Sequence, residues 1–263
     1  MKNLAFEIIG TILIIREVAD KKTLKEFAKE KMDKHSYIRT VVLQTSKVQG
    51  QERRRDLKHL MGKNTFVTIY KEHGNSFCVD LEKAFFSPRL SFERQRIANL
   101  VKKDEKILNF FSGVGPFGIT IASKQSLCEV HCIEINEFAY QYLCNNIELN
   151  KCQDRVFPHL GDAFEIVPEK FSNKVNRILL PLPIEADRAL PLAFYSLKQG
   201  KGYIHWQVTE KILSEDTIQD IVEDRLDKVT PEEISNKASI NKTRIIRWLA
   251  PRIAHIAVDL QFL

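Results

Sequence analysis

A chain of 263 residues exceeds one ordinary domain and falls short of two large ones, so its length predicts a sizeable domain with a small appendage. At 44% hydrophobic and 28% charged residues, with no signal peptide, no apolar run of 18 residues and a stretch at 8–15 too short for a bilayer, composition excludes membrane-spanning and disordered classes. The net charge of +6 is uneven: residues 1–75 hold 16 Lys and Arg against 9 Asp and Glu, and the remainder holds 24 against 25.

A basic appendage on a near-neutral body is what a phosphate-backbone partner requires, although a solvated surface explains any single cluster more cheaply. Cys78, Cys128, Cys132, Cys144 and Cys152 form no CxxC pair and no metal-spaced cluster with histidine. That pattern predicts reduced thiols, a cytoplasmic location and no metal site.

In chain order, GTILIIREV (10–18) has the β-branched enrichment of a strand, and KKTLKEFAKEKMDKH (21–35) has the apolar spacing and charge pairing of a helix. Strands are predicted over 39–48, 65–72 and 75–86, giving a small α+β module. Between two of them lies GQERRRDLKHLMG (50–62), read as a basic loop that is either a solvated connection or a ligand contact. After Pro88 the pattern changes. An amphipathic helix is predicted over 90–105, and from Lys106 strands and helices alternate through KILNFF, an IASK-type helix, EVHCIEI, FAYQYLCNNIELNK, VFPHLGD, NRILLPL, PLAFYSLKQG and GYIHWQV. Such alternation specifies an α/β fold, a doubly wound parallel sheet with helices on both faces. The tail supplies two more strands, 243–249 and 252–263, separated by Ala250 and Pro251 alone, which favours an antiparallel hairpin at the sheet edge. The expected division is 1–86 and 87–263.

KILNFF runs directly into SGVGPFGITIA, with Gly113 and Gly115 at a strand-to-helix turn where a ligand approaches the backbone closely. The next strand ends in Glu134, placed to accept bonds from ribose hydroxyls, and the one after in Gly161 and Asp162, where a carboxylate can accept from an adenine amino group. Three such strand ends favour a nucleoside cofactor over three helix caps. Spacing alone leaves dinucleotide and S-adenosylmethionine open, since the run GVGPFG is an incomplete pyrophosphate fingerprint.

FFSPRLSFERQRIANLV, FFSGVGPFGI, EINEFAYQYLCNNIELNK, the LGD at 160–162, GYIHWQ and APRIAHIAVDL together resemble the archaeal and eukaryotic tRNA guanine-37 N1-methyltransferases, from about Gly10 to the C-terminus. The resemblance implies a class I S-adenosylmethionine-dependent methyltransferase domain, Rossmann-like, preceded by a small α+β RNA-contacting domain. It implies S-adenosylmethionine as cofactor, the anticodon loop of tRNA as partner, no membrane or metal, and a monomer. Gly113, Val114, Gly115, Pro116 and Phe117 would line the methionine side of the cofactor, Glu134 the ribose and Asp162 the adenine, with Phe111, Ile135, Ala163 and Pro181 completing the set. The family's general base falls on Glu93, the arginine that orients the base on Arg89, and the arginine that contacts the target nucleotide on Arg53. Arg89 and Glu93 are spaced i, i+4 and share a face if the helix already includes Arg89. A surface ion pair worth well under ~1 kcal/mol is the alternative.

Three departures stand out. The family's Asn-Leu-Pro after the fourth strand is Pro181-Leu182-Pro183, its tyrosine four residues before Arg89 is Phe85, and the acid four positions before the glycine turn is Asn109. Proline has no side-chain amide, so one contact to the base is lost. The sequence also starts where the family's second domain starts, so tRNA contact is expected to rest on residues 1–75 and on the tail strand with Lys242, Arg244 and Arg247, which are equally an ordinary solvated edge. Two alternatives remain: the related aminocarboxypropyl transferase of wybutosine synthesis, and an RNA-binding homologue impaired by Pro181 and Phe85.

Overall fold

A computed structural model describes residues 4–17, 19–46, 50, 55–213 and 217–263. Its chain order begins with β1 (Phe6–Ile9), β2 (Ile12–Ile15), α1 (Lys21–Lys34), β3 (Thr40–Gln44), β4 (Leu57–Gly62), β5 (Val67–Glu72) and β6 (Asn75–Asp80). A 3-10 turn over Pro88–Leu90 leads to α2 (Ser91–Leu100), β7 (Lys106–Asn109), α3 (Pro116–Lys124), β8 (Glu129–Glu134), α4 (Glu137–Leu149), β9 (Val156–Leu160) and α5 (Ala163–Lys170). Then come β10 (Arg177–Leu180), α6 (Pro183–Ser196), β11 (Gly202–Lys211), α7 (Ile218–Val229), α8 (Glu232–Ser235), β12 (Ala238–Ala250) and β13 (Ile253–Phe262). No helix among the described residues is long and apolar enough to cross a membrane.

The chain forms two compact units. The first comprises Met1–Ser91, Gly113–Pro116 and Asn136–Lys151. Its four-stranded sheet has the order β1-β2-β3-β4, and β5 and β6 form a separate hairpin. Where one strand was expected over 10–18, Gly10 turns the chain at φ +57° and makes a hairpin of β1 and β2. A side chain at Gly10 would overlap Thr68, whose hydroxyl accepts a bond from the Thr11 amide at 2.9 Å. The basic stretch read as a loop is strand from Leu57 onward, paired antiparallel with β3. Leu57 is buried, and Leu60 and Met61 pack on the core of Leu24, Phe27 and Val41. α1 starts where expected because Asp20 caps it, accepting from the amides of Lys22 and Thr23 at 3.0 and 2.9 Å. α4 belongs to this unit through two asparagines that pair with the edge of β6. Asn146 accepts from the Cys78 amide at 2.7 Å and donates to its carbonyl at 3.0 Å, and Asn150 treats Ser76 the same way.

The second unit comprises Phe92–Ser112, Phe117–Ile135 and Cys152–Leu263. Its seven-stranded sheet has the order β12-β13-β11-β10-β7-β8-β9, with the five strands from β11 to β9 parallel, β13 antiparallel to β11, and β12 antiparallel to β13. The tail hairpin therefore lies at the edge, as expected, but its first strand starts at Ala238. Within this unit α6, which follows β10, packs on β10 and β11. The order reverses between β7 and β10, and a crevice beyond the carboxyl ends of these strands is where open α/β sheets bind ligands. The core gathers around the fully buried Trp206, whose indole N–H donates to Asp187 at 3.2 Å. α2 ends at Leu100, short of the expected 105. α6 begins at Pro183 and carries Pro191 inside it, whereas the helix was read from 191.

Close packing of α3 on β8 depends on Gly118, where a Cβ would overlap Cys132 Sγ and lie 3.3 Å from Val130 Cγ1. Gly118→Val is expected to destabilise the protein by about 1–3 kcal/mol through overpacking. A urea unfolding midpoint equal to that of the wild type would refute this.

Candidate active site

The carboxyl ends of β10, β7, β8 and β9 lie side by side in the sheet and carry most of the candidate cofactor residues. Phe111 follows β7, with its ring centroid 6.5 Å from that of Phe164. Glu134 is the buried last residue of β8, and its carbonyl accepts from the Gly161 amide at 3.0 Å. Ile135, next to it, is apolar yet 41% exposed. Asp162 caps α5 with one oxygen, Oδ1 accepting from the Phe164 amide at 2.9 Å, while Oδ2 has no partner among the described residues. Ala163 is buried behind it. Pro181 is half-buried after β10, one residue ahead of the Leu182 that precedes α6.

The glycine turn joins β7 to α3 in the chain. Gly113 and Gly115 have φ of +54° and +88°, which L side chains rarely adopt. Val114 is fully buried and its carbonyl accepts from Asn146 Nδ2 at 3.0 Å, while Pro116 opens α3 and Phe117 is buried. Asn109, the last residue of β7, is fully buried with neither amide atom bonded among the described residues. Native proteins rarely leave such a group unsatisfied, so a polar ligand group fits there. A partly exposed apolar wall, an unpaired carboxylate oxygen and an orphan amide together suit a ligand with an aromatic base and polar substituents.

Glu93 sits in the first turn of α2 and is 1% exposed. A carboxylate so buried requires paired charge. Arg96, one turn later, grips it with Nη2 donating to Oε1 at 2.7 Å and Nε to Oε2 at 3.0 Å. Arg244 on β12 adds Nε at 3.0 Å and Nη2 at 2.8 Å, both on Oε2, and its guanidinium lies 4.9 Å from the exposed ring of Phe92. Arg96 in turn forks onto Asp259 of β13, Nη1 to Oδ2 at 2.5 Å and Nη2 to Oδ1 at 2.8 Å. Burial alone would raise the Asp259 pKa, but bonds from His205 and Arg96 outweigh it and hold the carboxyl well below its usual range.

Glu93 thus occupies a paired, buried position rather than a free surface. Arg89 lies in the 3-10 turn before α2, so the helix does not include it and the i, i+4 geometry does not apply. Its half-exposed guanidinium is 3.7 Å from Glu7. Arg53 lies outside the described residues. Arg244, expected as an RNA contact or solvated edge, pairs with Glu93. Sequence reasoning did not single out Arg96, Asp259 or His205. Arg96 was accessible from its i, i+3 spacing to Glu93, and Asp259 from being the one acid in the apolar run IAHIAVDLQF. No group of three or more His, Cys, Asp or Glu among the described residues could hold a metal ion.

A family model described as the TRM5/TYW2 methyltransferase domain matches residues 68–233. The tRNA 4-demethylwyosine(37)-methyltransferase Taw21 of Saccharolobus solfataricus is 36% identical over 264 residues, spanning 97% of this chain and 92% of that protein. The tRNA (guanine(37)-N(1))-methyltransferase Trm5b of Pyrococcus abyssi is 35% identical over 263 residues, spanning 97% of this chain and 74% of that protein. Among solved structures, the complex of aTrm5 with tRNALeu superposes with a TM-score of 0.82 at 30% identity, covering 99% of this chain and 72% of the other. The parallel sheet with its antiparallel edge hairpin is the Rossmann-like fold of these methyltransferases. On the family model and on identity across nearly its whole length, the chain belongs to the TRM5/TYW2 methyltransferase family.

Proposed function

We propose that this protein transfers the methyl group of S-adenosylmethionine to N1 of guanosine 37 in the anticodon loop of tRNA. Family membership supports methyl transfer, and one observation supports the target chemistry. Glu93 is a buried carboxylate whose Oε1 accepts from a single donor among the described residues, Arg96 Nη2, leaving a lone pair for a substrate proton. Guanine N1 carries a proton and is not nucleophilic until that proton leaves, so a carboxylate must take it as the methyl moves. Glu93 accepts the proton at Oε1. Arg89 orients the base, and the assignment of Arg53 to the target nucleotide rests on the resemblance alone.

S-Adenosylmethionine, when bound, supplies an electrophilic methyl group on sulfonium sulfur. Gly113, Val114, Gly115, Pro116 and Phe117 would hold its methionine side, Glu134 the ribose, and Asp162 Oδ2 with Ala163 the adenine. Phe111, Ile135 and Pro181 would wall the site, and the orphan amide of Asn109 fits a polar group of this ligand. Residues 1–86, with the basic surplus, form the tRNA-contacting domain, and 87–263 the catalytic domain of a cytoplasmic monomer.

A second reading, methylation of 4-demethylwyosine at the same tRNA position, is favoured by the Saccharolobus relative and by Pro181, which offers no amide to a guanine edge. Mass spectrometry of two tRNAs, one with unmodified guanosine 37 and one with 4-demethylwyosine, after incubation with enzyme and S-adenosylmethionine separates them. We expect 1-methylguanosine on the first. Methylation of the second alone moves the assignment to the wyosine base, and an aminocarboxypropyl adduct moves it to the other alkyl transfer.

A further inference from the structure

Behind Glu93 runs a chain of buried charge that the proposed reaction does not by itself require. Arg96 holds Glu93 on one side and Asp259 on the other, each through two hydrogen bonds. Asp259 Oδ1 is 2.6 Å from His205 Nδ1, and His205 Nε2 is 2.7 Å from Arg177 Nη1. Arg177 closes the chain on Glu105 with bonds of 2.6 and 2.9 Å. A guanidinium has no acceptor, so Arg177 must donate to Nε2, and His205 is therefore the neutral tautomer that donates from Nδ1 to Asp259. Burial also pushes the His205 pKa down, in agreement with that tautomer. Glu93, Asp259 and Glu105 then balance Arg96, Arg177 and Arg244.

The His205–Asp259 part of the chain lies near the carboxyl ends of β10 and β7, whereas Arg177 and Glu105 lie at their amino ends. His205 is in register with Asp259 on one side and Leu179 on the other, and Leu179 with Asn109, the last residue of β7. Among the described residues, the charged groups bonded to Glu93 are Arg96 on α2 and Arg244 on β12, and behind Arg96 stand Asp259 on β13, His205 and Arg177. A fork fixed from both ends cannot rotate, so Asp259 and His205 help to set the direction of Glu93 Oε1, while Oε2 is held by Arg244 as well. With Asp259 present, Arg96 divides its charge between two carboxylates.

We propose that Asp259, oriented by His205, is a positioning residue for proton transfer: it fixes Arg96 in a two-sided fork and offsets its charge, so that Glu93 presents Oε1 to substrate. This rests on the reading of Glu93 as general base. Asp259→Asn keeps an acceptor for His205 and removes the charge, turning the whole of Arg96 onto Glu93.

The test is the pH profile of single-turnover methyl transfer to tRNA, run for Asp259→Asn, Glu93→Gln and the double variant. For Asp259→Asn we expect the plateau rate to fall roughly tenfold and the acid limb to move about one unit lower, the direction for a carboxylate given more net positive surroundings. Cofactor and tRNA affinities should stay near wild type. In the Glu93→Gln background the Asn substitution should add little, since it acts through a group already removed. An unmoved acid limb, or full additivity in the double variant, overturns the positioning role and leaves Asp259 a structural ion pair. A Glu93→Gln enzyme of near wild-type rate overturns the base reading instead, so the two failures are distinct. Should Asp259→Asn not fold, Arg96→Gln removes the cation and must move the limb to higher pH; an unmoved or lowered limb there counts equally against the proposal.

Discussion

Glu93→Gln is expected to slow single-turnover methyl transfer to tRNA by about 10²- to 10⁴-fold, the usual contribution of a positioned general base. Gln is isosteric and keeps an oxygen that can accept from Arg96 or Arg244, but it cannot take the N1 proton. The same substitution removes the one carboxylate that both guanidiniums share, at a site 1% exposed to solvent. Losing one partner of a buried pair typically destabilises by about 3–5 kcal/mol, less where a neutral acceptor remains. Unfolding must therefore be measured first, and the rate read at a temperature where the variant is folded. Affinity for S-adenosylmethionine should be unaffected, because the groups assigned to it follow β7, β8, β9 and β10 rather than lying on α2. Glu93→Asp restores charge but shortens the reach, so a partial recovery of rate supports proton uptake and complete recovery argues for charge alone. A Gln variant within tenfold of wild type would rule out the base role.

The parts of this fold legible in the sequence are those whose signal is local. The parallel strands carry short apolar runs such as Ile107–Leu108 and Ile178–Leu180, and the edge hairpin follows from two strands too close in sequence for a crossover. β4 was hidden because its three inward residues follow a run of arginines that reads as loop. α5 was hidden by Pro168 inside a helix of only 8 residues. The glycine turn, Glu134, Asp162 and Glu93 stand out in the sequence as site candidates because each belongs to a compact motif. What holds Glu93 does not: Arg244 and Asp259 lie far along the chain, on the hairpin that closes the sheet. Only strand order brings that hairpin beside β11 and its histidine.

The far end of the same chain carries the largest expected effect on stability. Arg177 is 2% exposed and satisfies four partners: both oxygens of Glu105, Nε2 of His205 and the Leu100 carbonyl at 3.0 Å, with its guanidinium 4.5 Å from the Tyr203 ring centroid. Arg177→Met fills similar length but leaves Glu105 as a buried charge without its cation and two acceptors without a donor. We expect a loss of about 3–5 kcal/mol in denaturant unfolding, the range for breaking rather than replacing a buried ion pair. For a protein of this size that corresponds to a fall in Tm of roughly 10 °C. The cost resides in the orphaned carboxylate, so adding Glu105→Gln should recover much of it, because replacing both charges removes the uncompensated one. If Arg177→Met cost under about 1 kcal/mol, or if the second substitution gave nothing back, Arg177 would be a packing residue and the chain from Glu93 to Glu105 would not be one electrostatic unit. If the recovered double variant also keeps a slow plateau rate with normal cofactor affinity, His205 has lost the donor that sets its tautomer, and the orientation of Asp259 depends on it.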